Sequence, residues 1–485
     1  MTDKTPPQQP ETSTMSDTEA LMWNIEKDPW LNPSGAMVTV LDRPVDRERF
    51  TRRIASAILS VPRLRQRVDA PLGRVLAPRW VHDNDFDLSH HLRFVALPSQ
   101  ADTDRDLYAL AAQIAQVPYD RTRPLWEMHV VEGLSGGRGA LISKMHHAIA
   151  DGIGAMRMSL TYMDLRRRVA KDDVVDLNAE LAALAPPEDD GSTLDGLRSE
   201  FETDLGQFFD KVAKPAFSIV RSVAGEVATW GADRDRIGDA AGSAKRQAMG
   251  IVEQLPVGEN REPGSPLWAE RSRQRHLEVH SLGLDEVKRV SAELGGTVND
   301  LFVAGAVHGS VEYHRRRGVE LEQLHTSFVL STRTKGDRSA NAFTPVPFDA
   351  PATTMSARER FDALHDIMSR SRSDVSGGGL LAVAAGAAKM LPTSLMTRLT
   401  RREAGSIDFA TSNLRGSPVT VYIGGARAEA LYALGPVAGT AFNLTTLSYN
   451  GNLDMGLHID PIAVEDPSDL RECIAEAYAD LLGLA

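Results

Sequence analysis

The segment His146-His147-Ala148-Ile149-Ala150-Asp151-Gly152 holds the residue types best suited to chemistry in this chain. An imidazole has a reference pKa of about 6.5, so at cellular pH it is mostly neutral and can take a proton from an attacking alcohol. Lys144-Met145-His146-His147 reads as the end of a strand, and the residues after it turn into a helix. Neighbours on a strand point to opposite faces. The two histidines are therefore not expected to share a metal ion: one should face a cleft and the other should be buried. Asp151 is placed either to accept from nearby backbone N–H groups or to pair with an arginine, and Gly152 permits a tight turn or close approach of a ligand. A chance His-His pair is the plain alternative, and His90-His91 is such a pair with no Asp-Gly after it.

The elements that must position this segment can be read around it. A strand is expected from Ala36 to Leu41, a helix from about Asp46 to Leu59, and a helix from Asp104 to Gln116 whose apolar residues recur near a 3.6 period. Glu127 to Val131 and Gly139 to His146 read as two strands joined by a hairpin at Gly133-Leu134-Ser135-Gly136-Gly137. A helix is expected from about Gly154 to Arg168. Between about Lys171 and Gly264 the character changes: Leu197, Phe201, Leu205, Phe208 and Val212 form an amphipathic stripe that stops near Pro215, and Phe217 to Trp230 follows as a second helix. These helices pack on the core or lie on a membrane surface. A second α/β region runs from about Ser265. It has helices at Leu284–Leu294, Val298–Arg316 and Ala357–Ser371, a strand at His325–Ser331, later strands at Ile407–Thr411, Val419–Ile423, Ala428–Leu434, Asn443–Tyr449 and Leu453–Ile459, and a final helix after Pro467-Ser468-Asp469.

The expected organisation is a disordered tail at 1–16, an N-terminal α/β domain at 17–170, a linker with amphipathic helices at 171–264 and a C-terminal α/β domain at 265–485. A chain of 485 residues suits two such domains. The formal net charge of -12 gives no global field for nucleic acid. The single cysteine, Cys473, rules out an internal disulfide and a multi-cysteine zinc site, and reads as a half-buried helical residue. The longest apolar stretch, Leu380 to Ala388, falls well short of the ~20 residues a membrane span needs. A cytoplasmic protein, with no more than peripheral membrane contact, is expected.

Several further motifs accompany the histidines. Pro124-Leu125-Trp126 lies upstream; Val298-Asn299-Asp300-Leu301, Thr411-Ser412-Asn413-Leu414-Arg415-Gly416 and Leu447-Ser448-Tyr449-Asn450-Gly451 follow in that order. With the His-His segment, they resemble the bacterial wax ester synthase/diacylglycerol acyltransferase family over about Ser16 to Ala485. The resemblance implies two chloramphenicol-acetyltransferase-like α/β domains with an active-site tunnel between them. It also implies transfer of a fatty acyl group from acyl-CoA, a co-substrate, to diacylglycerol or a long-chain alcohol, with no bound cofactor and no metal. It makes His147 the general base in a ternary complex and gives His146, Asp151 and Gly152 supporting roles. Trp126, Asn299, Asp300, Arg333, Ser412, Asn413 and Ser448 become candidate substrate-binding residues, although Trp126 and Asn299 are equally suited to packing and helix capping. Donors to the reaction's oxyanion are sought in the backbone near Gly152 and in Asn299, Asn443 or Ser448. Arg333 would pair with Asp151, bind the phosphates of CoA, or form a surface ion pair. Peripheral association with the inner membrane or lipid droplets is a further implication.

Arg415 stands where the family usually has proline, and Ala340-Asn341 where Gly-Asn is common, which bears on acceptor choice. Three rival readings compete. Gly133 to Gly137 fits Gly-x-Ser-x-Gly, but a nucleophile elbow leads from strand to helix and here the next element is a strand. Condensation-type acyltransferases with specialised lipid, polyketide or carrier-protein substrates share a similar His-His segment. A catalytically silent lipid-binding protein would bind lipid without releasing CoA.

Overall fold

The computed structural model describes residues 12–70, 78–98, 103–150, 152–168, 177, 180–181, 262–331, 343–375 and 393–485. Asp151, Arg333, Ala340-Asn341, the Leu380–Ala388 stretch and the two linker helices lie outside the described residues. In the N-terminal half the strands are β1 (Ser13–Thr14), β2 (Ser34–Leu41), β3 (Gln66–Asp69), β4 (Arg79–His82), β5 (Leu92–Ala96), β6 (Trp126–Glu132) and β7 (Gly139–His146). The helices there are α1 (Asp17–Ile25), α2 (Arg47–Ser60), α3 (Leu88–His91), α4 (Thr103–Gln116) and α5 (Gly152–Ser159). The C-terminal half carries β8 (His276–Gly283), α6 (Leu284–Glu293), α7 (Val298–Arg316), β9 (Gln323–Ser331), β10 (Phe343–Pro351), α8 (Ala357–Val375) and α9 (Thr393–Ser406). It ends with β11 (Phe409–Arg415), β12 (Tyr422–Ile423), β13 (Ala426–Leu434), β14 (Phe442–Tyr449), β15 (Asn452–Ile459) and α10 (Pro467–Leu482).

Two six-stranded sheets dominate, in the orders β12-β13-β2-β7-β6-β5 and β10-β9-β11-β14-β15-β8. In the first, β6 and β7 form the expected antiparallel hairpin, with Trp126 opposite Met145 and Gly133–Gly137 in the connecting loop. β2 runs antiparallel to β7, from Ser34 opposite His146 to Leu41 opposite Gly139. β13, from the C-terminal half, adds to the free side of β2, with Leu434 opposite Ala36. The first sheet is therefore not bounded by residues 17–170.

Several expectations need correction. The tail does not extend to residue 16: Ser13 and Thr14 pair with β4, and Ser16 caps α1 through a reciprocal bond with Glu19. The helix after the histidines stops at Ser159, and Asp164 then pairs with Tyr422. β10 is a strand despite Pro345, Pro347 and Pro351. It is the outermost strand of its sheet, and prolines two apart place their missing N–H groups on one side, where an open edge asks for no donor. β8, with Leu277 and Val279 alternating with polar residues, is the other edge. Cys473 is fully buried, because α10 lies against α7. Gly309 allows that approach, since a Cβ there would sit 2.5 Å from the Ile474 Cα. Burial pushes the Cys473 thiol up to about 12, which leaves it protonated and unreactive.

Three buried histidines carry a pH prediction. His91, His314 and His458 each have one ring nitrogen bonded to a backbone carbonyl, of Trp126, Ser310 and Gly435 respectively. Burial, the largest cause, brings each down to about 4 from the ordinary 6.5. Between those values the unfolded chain binds protons that the folded chain does not. Stability should therefore be fully present above pH 6.5 and fall as the pH drops toward 4. Denaturant midpoints from pH 7 to 4.5 test this, and an unchanged midpoint across that range would contradict the neutral burial of these rings.

Candidate active site

The His-His segment sits where β7 ends, and the pleat separates the two rings as expected. His146 is fully buried. Its Nδ1 accepts from the Ala148 N–H at 2.9 Å, so in the neutral ring the proton sits on Nε2, 3.4 Å from the Glu26 carboxylate. Glu26 in turn lies 3.3 Å from Arg121, whose guanidinium packs 3.4 Å over the Trp23 ring and donates to the Trp23 carbonyl. The Tyr119 ring meets His146 edge-on. His146 thus ties the loop after β7 to the end of α1 and to the stretch before β6.

His147 faces the other way, into a cavity of ≈ 410 Å³ between the two sheets. One wall comes from β2, β6, β7 and β13, the other from β9, β11 and β14. The lining is mainly apolar, with Met22, Met37, Met128, Met145, Met156 and Met158 prominent. Flexible thioethers adapt to chains of varying shape. Gly35, on β2 opposite Met145, lines the cavity beside the base: a Cβ there would lie 3.5 Å from His147 Nε2, in ordinary van der Waals contact.

The other predicted residues separate into two groups. Ser412 and Asn413 line the cavity, as do Asn443 and Trp126. Trp126 is also a packing residue: its indole N–H donates to the Leu64 carbonyl at 2.8 Å and His91 stacks on it at 4.6 Å. Asn443 Nδ2 donates to the Pro436 carbonyl, and its Oδ1 accepts from Thr445. Asn299 is not in the cavity wall, but its Oδ1 accepts from Asn413 at 3.3 Å. Asp300 is a correction. It is fully buried away from the cavity, closes a capping box with Thr297 at the start of α7, and binds His365 and Arg372 at 3.0 and 2.7 Å. Ser448 is another. Alternation on β14 points Asn443, Thr445 and Leu447 at the cavity, so Ser448 faces away and accepts from the Gly416 N–H. Gly152 opens α5.

The Glu26–Arg121 support, Gly35 and the methionine lining were not singled out from the sequence. Residues far apart in the chain form the first, and no local pattern links them. Among the described residues, no group of three or more His, Cys, Asp and Glu is arranged to hold a metal.

A buried, apolar, two-sheet cavity with one histidine at its wall suits a reaction between lipid groups away from water. A family model for the wax ester synthase/diacylglycerol acyltransferase catalytic domain matches residues 15–302, and one for the WS/DGAT C-terminal domain matches 339–482. The chain belongs to the wax ester synthase/diacylglycerol acyltransferase family. It is accordingly an O-acyltransferase. A Mycobacterium tuberculosis protein named as a candidate diacylglycerol O-acyltransferase is 29% identical over 458 residues, covering 93% of this chain and 88% of that protein. A second candidate from the same organism is 29% identical and covers 91% and 89%. The wax ester synthase/diacylglycerol acyltransferase structure from Marinobacter aquaeolei VT8 superposes with a TM-score of 0.60 at 20% identity, covering 97% of this chain and all of that one. The first condensation domain of the calcium-dependent antibiotic synthetase does so at 0.53 and 15%, covering 97% and 95%. These neighbours bear out the expected pair of chloramphenicol-acetyltransferase-like units.

Proposed function

We propose that the enzyme moves a fatty acyl group from acyl-CoA to the hydroxyl of diacylglycerol or a long-chain alcohol, with His147 as general base. The observation that carries this reading is the placement of His147 in the wall of the apolar cavity between the sheets. A lipid alcohol bound there gives its hydroxyl proton to His147 as its oxygen attacks the thioester carbonyl. The tetrahedral intermediate collapses with loss of the C–S bond, and the thiolate takes the proton back from the imidazolium. No acyl-enzyme forms, and no cofactor is required. Asn443 lines the cavity with one Nδ2 hydrogen on the Pro436 carbonyl, and its second hydrogen is the donor to the oxyanion.

The acceptor's source is a lipid surface that the enzyme meets peripherally. Among the described residues, no helix is long and apolar enough to cross a membrane. Leu160, Leu165 and Val419 are exposed large hydrophobics, and the Asp164–Tyr422 bridge brings their chain segments alongside each other. The test is CoA-thiol release from palmitoyl-CoA with dipalmitoylglycerol or hexadecanol added. Acceptor-dependent release is expected, and the two rates rank the acceptors. No release with either acceptor, but transfer from a carrier-protein thioester, would replace this reading with a specialised one.

A further inference from the structure

A second cavity of ≈ 1230 Å³ adjoins the first, and Pro436 and Ala438 line both. Ser34 lines the second cavity and its neighbour Gly35 the first, so the second comes within one residue of the wall beside His147. The two cavities differ in chemistry. Lys27, Arg121, Arg273 and Arg275 line the second against one carboxylate, Glu26, in a chain whose net charge is -12. Arg121 is committed to Glu26 and Trp23, and Arg275 donates to the Ser272 and Gln274 carbonyls. Lys27 and Arg273 are exposed, and neither side chain has an ion pair or hydrogen bond among the described residues. Such a concentration of one sign attracts anions, phosphates above all.

His458 supplies an independent observation. It lines the same cavity yet is 4% exposed. Its Nδ1–H donates to the Gly435 carbonyl at 2.8 Å, leaving Nε2 as an acceptor with no hydrogen-bond partner among the described residues. Burial keeps the ring neutral, so the acceptor persists at working pH. Buried polar atoms are normally satisfied. A cationic mouth, a buried lone acceptor and a shared wall with the catalytic cavity together match an anionic head, an amide-bearing arm and a thioester.

We propose that the second cavity is the entry for the thioester donor: Lys27 and Arg273 hold its phosphates, and His458 Nε2 accepts an amide N–H of its pantetheine arm. The thioester passes Pro436 and Ala438 to reach His147. This rests on the acyl-CoA reading above. The shared chemistry is a phosphorylated pantetheine thioester, whether free as CoA or attached to a carrier protein.

The experiment compares palmitoyl-CoA with palmitoyl-pantetheine, which lacks the phosphates, in wild type, the Lys27→Glu/Arg273→Glu double variant and His458→Asn. The double variant should raise KM for palmitoyl-CoA ~10-fold or more, in a salt-dependent way, and change kcat/KM for palmitoyl-pantetheine less than twofold. His458→Asn should raise KM for both donors and leave KM for the acceptor unchanged. An unaltered palmitoyl-CoA KM in the double variant, or equal losses with both donors, overturns the entry while acyl transfer stands. A higher acceptor KM in His458→Asn overturns it too. A carrier-bound donor used in place of palmitoyl-CoA, with the same charge sensitivity, keeps the entry and changes the donor's source. A wild type that transfers from none of these donors removes both readings.

Discussion

His147→Ala is expected to lower kcat for acyl transfer by ~10²–10⁴-fold, the contribution typical of a well-placed general base. The ring faces the cavity between the sheets, so its loss removes the base from the reaction chamber. An unchanged thermal midpoint alongside the lost rate would separate this variant from a folding defect. His146→Ala should behave differently. That ring is fully buried and sits between the Ala148 N–H and the Glu26 carboxylate, so its removal should lower the midpoint as well as the rate. A His147→Ala enzyme with full activity would end the proposed mechanism.

The second large effect concerns stability. Asp300→Ala should destabilise the fold by about 3 kcal/mol, since it removes a buried carboxylate that caps α7 and bonds to both His365 and Arg372. His365 and Arg372 are about one-third exposed and can be rehydrated, which keeps the cost near the lower end for broken buried pairs. In the fraction that stays folded, kcat and both KM values should match wild type, because Asp300 is absent from the cavity lining. Urea denaturation with parallel kinetics decides the matter. Undiminished stability with a raised acceptor KM would return Asp300 to the substrate site.

The His-His segment and the hairpin carrying it were legible because they are local: two period-2 runs, a glycine loop between them and a turn into a helix. α7 and α10 were legible for the same reason, through spacing and caps. What escaped the sequence depends on position in the sheet. β10 carries prolines that argue against a central strand, and an edge tolerates them. Ser448 was grouped with Asn443 as an oxyanion donor, although their odd separation on one strand already puts them on opposite faces. Asp300 belongs to a motif that reads as functional but closes a capping box, and Thr297 three residues before it was the available signal. The partners of His146 left no trace in the order of residues, since Glu26 and Arg121 meet it only in the folded chain.

β13 has a mechanical consequence. This strand comes from the C-terminal half, hydrogen-bonds along β2 from Ala428–Leu41 to Leu434–Ala36, and is tied back to β15 where the Leu431 N–H meets the Asp454 carboxylate. Prising the halves apart like a shell would tear this ladder at about 0.5–1.5 kcal/mol per bond, along with the walls of the reaction chamber. The enzyme is therefore laced shut. Exchange of long chains is therefore expected to leave this ladder intact.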